Sequence, residues 1–156
     1  MKWQILAVGQ KMPDWVNEAV ENYRKRMPPN AALTLTEIRA EKRTGGKTVE
    51  QIKALERDRI LSALPAQSIL WVLDEHGEQL TTLALTEKLR TAEQNAHSLC
   101  FIIGGADGLH DDIKMKAGQL IALSKLTLPH GLARVLLTEQ LYRAMSILQH
   151  HPYHRE

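Results

Sequence analysis

SLCFIIGG, residues 98–105, and SILWVLD, residues 68–74, decide how this chain folds. Both are short, rich in β-branched and aromatic residues, and apolar almost throughout, whereas a strand with one wet face alternates apolar with polar. Strands of this kind are covered on both sides, as in the interior of a parallel sheet. Three further strand candidates are WQILAVG (3–9), LTLTEI (33–38) and LIALSKLTL (120–128). Between them lie helix-like stretches: PDWVNEAVENYRKRM (13–27), opening with Pro13 and Asp14; TVEQIKALERDRILSAL (48–64), where Thr48 and Gln51 have capping-box spacing; and residues 81–95. The alternation predicts an α/β fold, a mainly parallel five-stranded sheet flanked by helices, in one domain spanning residues 1–156.

Bulk properties restrict the function. Apolar residues make up 44% of the chain, enough for a sizeable core and too many for a disordered protein. A net charge of +2 is too mild to announce a general nucleic-acid binder, although local basic patches are compatible with it. The single cysteine, Cys100, excludes an internal disulfide, and its neighbours Leu99 and Phe101 predict an inert buried thiol in a reducing compartment. MKWQILAVG lacks a signal-peptide core, and no apolar run is long enough to span a membrane, so the expected location is cytoplasmic. The basic, Gly45-Gly46-containing segment AEKRTGGKT (40–48) reads as a solvated connection rather than a phosphate-contacting one.

The last helix, expected over residues 132–149, is apolar at eleven positions, including Leu132, Val135, Leu136, Leu137, Leu141 and Tyr142, a wider arc than one sheet face needs. A homodimer interface and a wedge between the sheet and another helix of the same chain both account for it. It is followed by HHPYHRE (150–156), which reads as a frayed end, a metal site, an appended tag, or part of an active site that something else completes. Metal is disfavoured, because Pro152 breaks the helix that would align His150 with His154, and no paired carboxylate completes the set.

Ligands of open parallel sheets bind beyond the carboxyl ends of the strands. Three such ends stand out: VLDEHGEQL (72–80), FIIGGADGLHDD (101–112) and LSKLTLPHGLARVLL (123–137). GGADG is neither a dinucleotide fingerprint nor a P-loop, and no GxSxG nucleophile elbow occurs. What remains is a ligand held by loop backbone, with the polar tail available for chemistry.

FIIGGADGL (101–109), LSKLTLPH (123–130), RVLLTEQLYRA (134–144) and the terminal HPYHRE together resemble the RlmH-type ribosomal RNA methyltransferases of the SPOUT superfamily, and the resemblance runs from MKWQILAVGQKMPDWV to the last residue. It implies a C-terminal trefoil knot, a homodimer, no metal, and S-adenosylmethionine as the methyl donor to N3 of a pseudouridine in helix 69 of 23S ribosomal RNA, on the assembled ribosome. It also implies a cofactor site formed by Leu73, Gly104, Gly105, Leu123, Ser124, Lys125, Leu126, Thr127 and Leu128. Arg143, Tyr153 and His154 are implied in substrate binding or catalysis, with the tail completing the pocket across the dimer. His154 is the candidate base for the N3 proton, Tyr153 a stacking or hydrogen-bonding group, and Arg143 a phosphate or carbonyl partner. A binding module without turnover and a purely structural dimer are the competing function classes.

Overall fold

The computed structural model describes residues 2–95 and 98–155, so Glu156 of the tail lies outside the described residues. Among the described residues the strands are β1 (Trp3–Val8), β2 (Leu33–Ile38), β3 (Ser68–Gln79), β4 (Ser98–Ile103) and β5 (Gln119–Ala122). They form one sheet in the order β2-β1-β4-β3-β5, and every pairing is parallel. The helices are α1 (Asp14–Arg26), α2 (Val49–Ala63), α3 (Thr82–Asn95), α4 (Asp111–Lys116) and α5 (His130–Leu148).

The two apolar strands are central, as their composition requires. In β4, Phe101 and Ile103 point into a core with Trp71, Leu85, Leu89, Leu137, Leu141 and Met145, while Cys100 and Ile102 point into a second core with Ile60, Val72 and Ile113. Thus α3 and α5 cover one face, with α1 packed against α5, and α2 and α4 cover the other. Burial pushes the Cys100 thiol up to about 12, so it is protonated and inert at neutral pH.

Local chemistry sets the helix starts. Thr48 accepts from Gln51 N–H while the Gln51 side chain accepts from Thr48 N–H, the reciprocal cap expected from their spacing. By contrast, α1 begins after Pro13 with no side-chain cap. In the connection 40–48, Gly45 and Gly46 take positive φ with open space around them, and Lys47 and Arg59 are both tied to Glu41.

Two expectations fail. Residues 123–128 do not continue β5: the Ser124 hydroxyl accepts from Leu126 N–H, closing a local turn, and Pro129 supplies no donor for a ladder. β3 instead runs past Asp74 to Gln79, and Leu73 and Glu78 both fall opposite Ile121, so residues 74–77 arch out of the ladder. The arch needs Gly77, because a Cβ there would lie 2.7 Å from backbone atoms of Leu120 and Ile121. Gly77→Ala should therefore cost about 1–3 kcal/mol, the scale of an overpacked core, read as a lowered urea midpoint with unchanged slope.

Candidate functional site

The strands end level. Ala7 lies opposite Ile103, Val72 opposite Ile102 and, beyond the arch, Gln79 opposite Ala122, so the carboxyl ends of β1, β4, β3 and β5 share one edge. A cavity of about 830 Å³ opens there, a volume suited to a cofactor-sized ligand. Its walls include Val8, Gly9 and Met12 after β1, Leu73 to His76 from the arch, residues 103–109 after β4, and residues after β5. Of the nine sequence-predicted cofactor residues, Leu73, Gly104, Gly105, Leu123, Ser124, Leu126, Thr127 and Leu128 line it. Lys125 is exposed and does not.

The walls are mainly backbone and apolar side chains. A Cβ at Gly104 would sit 2.8 Å from Leu109 Cγ, and one at Gly105 would sit 3.1 Å from Val8 Cγ1 and 3.4 Å from Glu56 Oε1. The chain around both glycines is therefore close-packed without side chains. Leu126, at the cavity wall, leaves 75% of its surface exposed, a large apolar area for a loop residue. Among the charged residues of the wall, the Asp74 side chain is nearly buried. Burial alone would raise its carboxyl, but the His76 N–H and the Lys114 ammonium 3.2 Å away hold it below the ordinary range, so it is anionic at neutral pH.

Sequence reasoning gave no role to the group that closes the cavity on the helix side. Residues 123–129 run back from the β5 edge across β3, and His130, in the first turn of α5, places Nδ1 3.0 Å from Gly104 O. Its Nε2 lies 3.0 Å from Arg134 Nη2, and Arg134 also reaches Gly9 O and Glu37 Oε2. A buried arginine on a helix face filled with leucine and valine carries no sequence signal of its own.

The tail is folded, not frayed. His150 N–H bonds Ile147 O and His151 N–H bonds Ser146 O, with His150 at φ 57, the paired bonds and left-handed residue that end a helix sharply. Pro152 then turns the chain back along α5. Tyr153 packs edge-on to Tyr142 at 4.7 Å and beneath the Arg143 guanidinium at 4.8 Å. Glu139 joins the group, accepting from Arg143 Nε at 2.9 Å, Arg143 Nη2 at 2.6 Å and Tyr153 O–H at 3.1 Å. Glu139 was overlooked, although its i,i+4 spacing to Arg143 marks a helix pair. Burial first, and the Glu139 charge second, push the Tyr153 phenol up to about 12, so it is a proton donor and not a base at neutral pH.

Arg143 Nη1 lies 3.3 Å from His154 Nδ1. A guanidinium only donates, so Nδ1 accepts and the His154 proton sits on Nε2, which is buried and has no hydrogen-bond partner among the described residues. The three sequence-predicted substrate residues thus form one cluster, but none of them lines the cavity. Arg143 lies thirteen positions along α5 from His130, roughly 20 Å. Among the described residues no group of three His, Cys, Asp or Glu side chains could hold a metal, and no helix is long and apolar enough to cross a membrane.

A family model described as a predicted SPOUT methyltransferase matches residues 1–154. The chain belongs to the SPOUT methyltransferases. It is 54% identical over 156 residues to the ribosomal RNA large subunit methyltransferase H of Neisseria meningitidis serogroup C, covering all of both chains. The like-named proteins of Dechloromonas aromatica and Nitrosomonas eutropha are 54% and 55% identical, with 99% of each covered by 100% and 99% of this chain. At these identities over whole length it is a member of the RlmH group, and SPOUT methyltransferases use S-adenosylmethionine.

Burial of the ring lowers the His130 pKa below its ordinary 6.5, the Gly104 carbonyl and Glu37 opposing and Arg134 reinforcing the shift. The group is neutral in the fold while the unfolded chain protonates first, so its contribution is complete above about pH 6.5 and is lost as pH falls below it. The stability difference between wild type and His130→Asn should therefore shrink between about pH 7.5 and pH 5.5. Urea midpoints measure it, and a difference independent of pH would show that His130 does not titrate as described.

Proposed function

We propose that this protein is a cytoplasmic homodimer that methylates N3 of a pseudouridine in helix 69 of 23S ribosomal RNA on the ribosome, with the cavity holding S-adenosylmethionine and the tail of the second subunit acting on the base. The observation that carries it is the separation of a backbone-walled cavity at one end of α5 from a polar Arg143, Tyr153 and His154 cluster toward the other end. One chain cannot bring them together without unfolding its own tail. A two-fold pair with α5 helices antiparallel brings each tail to the other cavity. Leu132, Val135 and Leu136, at i, i+3, i+4 spacing and only half-buried, supply an apolar strip for that pairing, continuous with Glu139 and Arg143.

The residues present suit the cofactor. Asp74, held anionic beside Lys114, stands at the wall for a cationic sulfonium compound, Lys53 for its carboxylate, and Gly104, Gly105, Leu123, Ser124 and residues 126–128 offer peptide groups and apolar contact for a flat base. When bound, S-adenosylmethionine supplies an electrophilic methyl group. The chain then contributes alignment and proton handling. Tyr153 O–H and Arg143 are donors suited to a uracil ring gaining negative charge on its carbonyls, once the base displaces their present partners Glu139 and His154. His154, with Nδ1 on Arg143, presents an N–H, so its use as base for the N3 proton requires release from Arg143 and a change of tautomer.

The path of residues 123–130 is proposed as the threading step of a trefoil knot. The chain leaves the β5 edge, passes the 74–77 arch and the 104–108 loop, and re-enters the sheet's other end through α5, a path that supports passage through a loop rather than around it.

Gly105→Val should displace the packed cavity loop, and His154→Ala should disable the tail. If each site uses one subunit's cavity and the other's tail, unfolding and refolding an equal mixture of the two inactive variants should restore about a quarter of wild-type turnover on ribosomes, the share expected from random pairing. No recovery beyond either variant alone, with dimers formed, would place cavity and tail of one chain in the same site or remove the tail from it.

A further inference from the structure

We propose that His130 is a positioning residue of the cofactor cavity, held by Arg134 as the neutral Nδ1–H tautomer so that its ring fixes the plane of the Gly104–Gly105 peptide. The inference deepens the reading above and rests on the cavity being the S-adenosylmethionine site.

The tautomer follows from donor and acceptor inventory. Arg134 has no acceptor, so the 3.0 Å contact from its Nη2 to His130 Nε2 requires a lone pair on Nε2. The ring proton then sits on Nδ1, which faces Gly104 O at 3.0 Å and donates to it. Both contacts are satisfied by one protonation state. The opposite tautomer sets two N–H groups against each other at Arg134 and a lone pair against the carbonyl, and the imidazolium keeps the first conflict.

Arg134 itself cannot swing away. Its side chain is 2% exposed, paired to Glu37 at 2.9 Å, and donates to Gly9 O at 3.3 Å, so the guanidinium is braced by the ends of β1 and β2 before it meets His130. Moving it out of this pair would leave a buried charge uncompensated.

The consequence falls on a loop whose own ties, Gly108 N–H to Gly105 O at 3.1 Å and Arg43 to Asp107 at 2.7 Å, leave Gly104 O unheld. Gly104 and Gly105 have no side chains, and glycine pays the largest entropy for being ordered. Clamping Gly104 O fixes the planar peptide that follows, with Gly105 N–H directed opposite to the carbonyl. A loop whose backbone groups are ligand contacts is thus ordered before the ligand arrives, which is where preorganisation gains affinity.

Nitrogen-resolved NMR of the His130 ring in cofactor-free protein should show the Nδ1–H tautomer at neutral pH; the Nε2–H form would overturn the proposal. S-adenosylmethionine affinity is then measured by calorimetry on three variants. His130→Asn, whose amide N–H stands near Nδ1, should stay within about threefold of wild type, while His130→Ala and His130→Gln, which leave Gly104 O without that donor, should lose roughly tenfold, the scale of one hydrogen bond. Thermal midpoints of the Asn and Gln variants should match, separating positioning from stability. Equal affinities of the Ala and Asn variants would overturn it. If the cofactor binds wild type without moving the Gly104, Gly105 and Leu73 amide resonances, the cavity assignment is wrong and the inference falls with it.

Discussion

A guanidinium removed almost entirely from water sets the position of everything at the working edge of this protein. Burying an unpaired charge costs several kcal/mol, so Arg134 is tolerable only where Glu37, Gly9 O and His130 converge on it. Those partners belong to β2, to the residue after β1 and to the first turn of α5. The start of the last helix is therefore fixed against the ends of two strands, and through His130 against a third. Given that anchor, the helix axis fixes where the chain emerges nineteen residues later, and so where the tail turns back.

The same helix explains why its sequence overstated its apolar face. Three buried positions are polar: Arg134, Thr138 and Ser146. Thr138 Oγ1 donates to Arg134 O at 2.8 Å and Ser146 Oγ to Tyr142 O at 2.9 Å, so each hydroxyl is satisfied within the helix and can be buried cheaply. Leucines and valines that periodicity assigns to the core are displaced to the flanks, where Leu132, Val135 and Leu136 remain half-buried. The explanation within one chain therefore holds: α5 is packed against the sheet, α1 and α3, while the strip of Leu132, Val135 and Leu136 is left half-buried.

How much could be read from residues alone follows a physical division. The central strands, the Thr48 cap and the spans of α1, α2 and α3 were legible because they depend on local periodicity and on contacts three or four residues apart, whereas the six-residue α4 was too short to show a period. The extent of β5 was not, since LIALSKLTL has strand composition throughout and only the Ser124 turn and the chain's return toward β4 end it. β3 beyond Asp74 was invisible for the converse reason: DEHGEQ has turn composition, and its pairing with Ile121 and Ala122 depends on a strand more than forty residues away. The glycine loop was legible as a close approach, whereas the histidine that clamps it was not, because its role depends on a distant carbonyl after β4 and on an arginine held by β2 and the end of β1.

His154 carries the last step. A buried N–H with no acceptor costs about 1–3 kcal/mol, which a terminal segment has little means to offset. The tail nevertheless folds back, because Tyr153 packs on Tyr142 and Arg143 while Glu139 and Arg143 fix its polar groups. Among the tail's inward-facing side chains, Tyr153 O–H and His154 Nδ1 are bonded, and His154 Nε2 is left buried and unmatched among the described residues. On the proposed reading the missing acceptor is supplied from outside the chain, by the second subunit or by a carbonyl of the RNA base. A tail whose Tyr153 is already held by Tyr142, Arg143 and Glu139 meets that acceptor with its geometry set in advance. The orphan donor then marks the point where one chain's structure stops being sufficient.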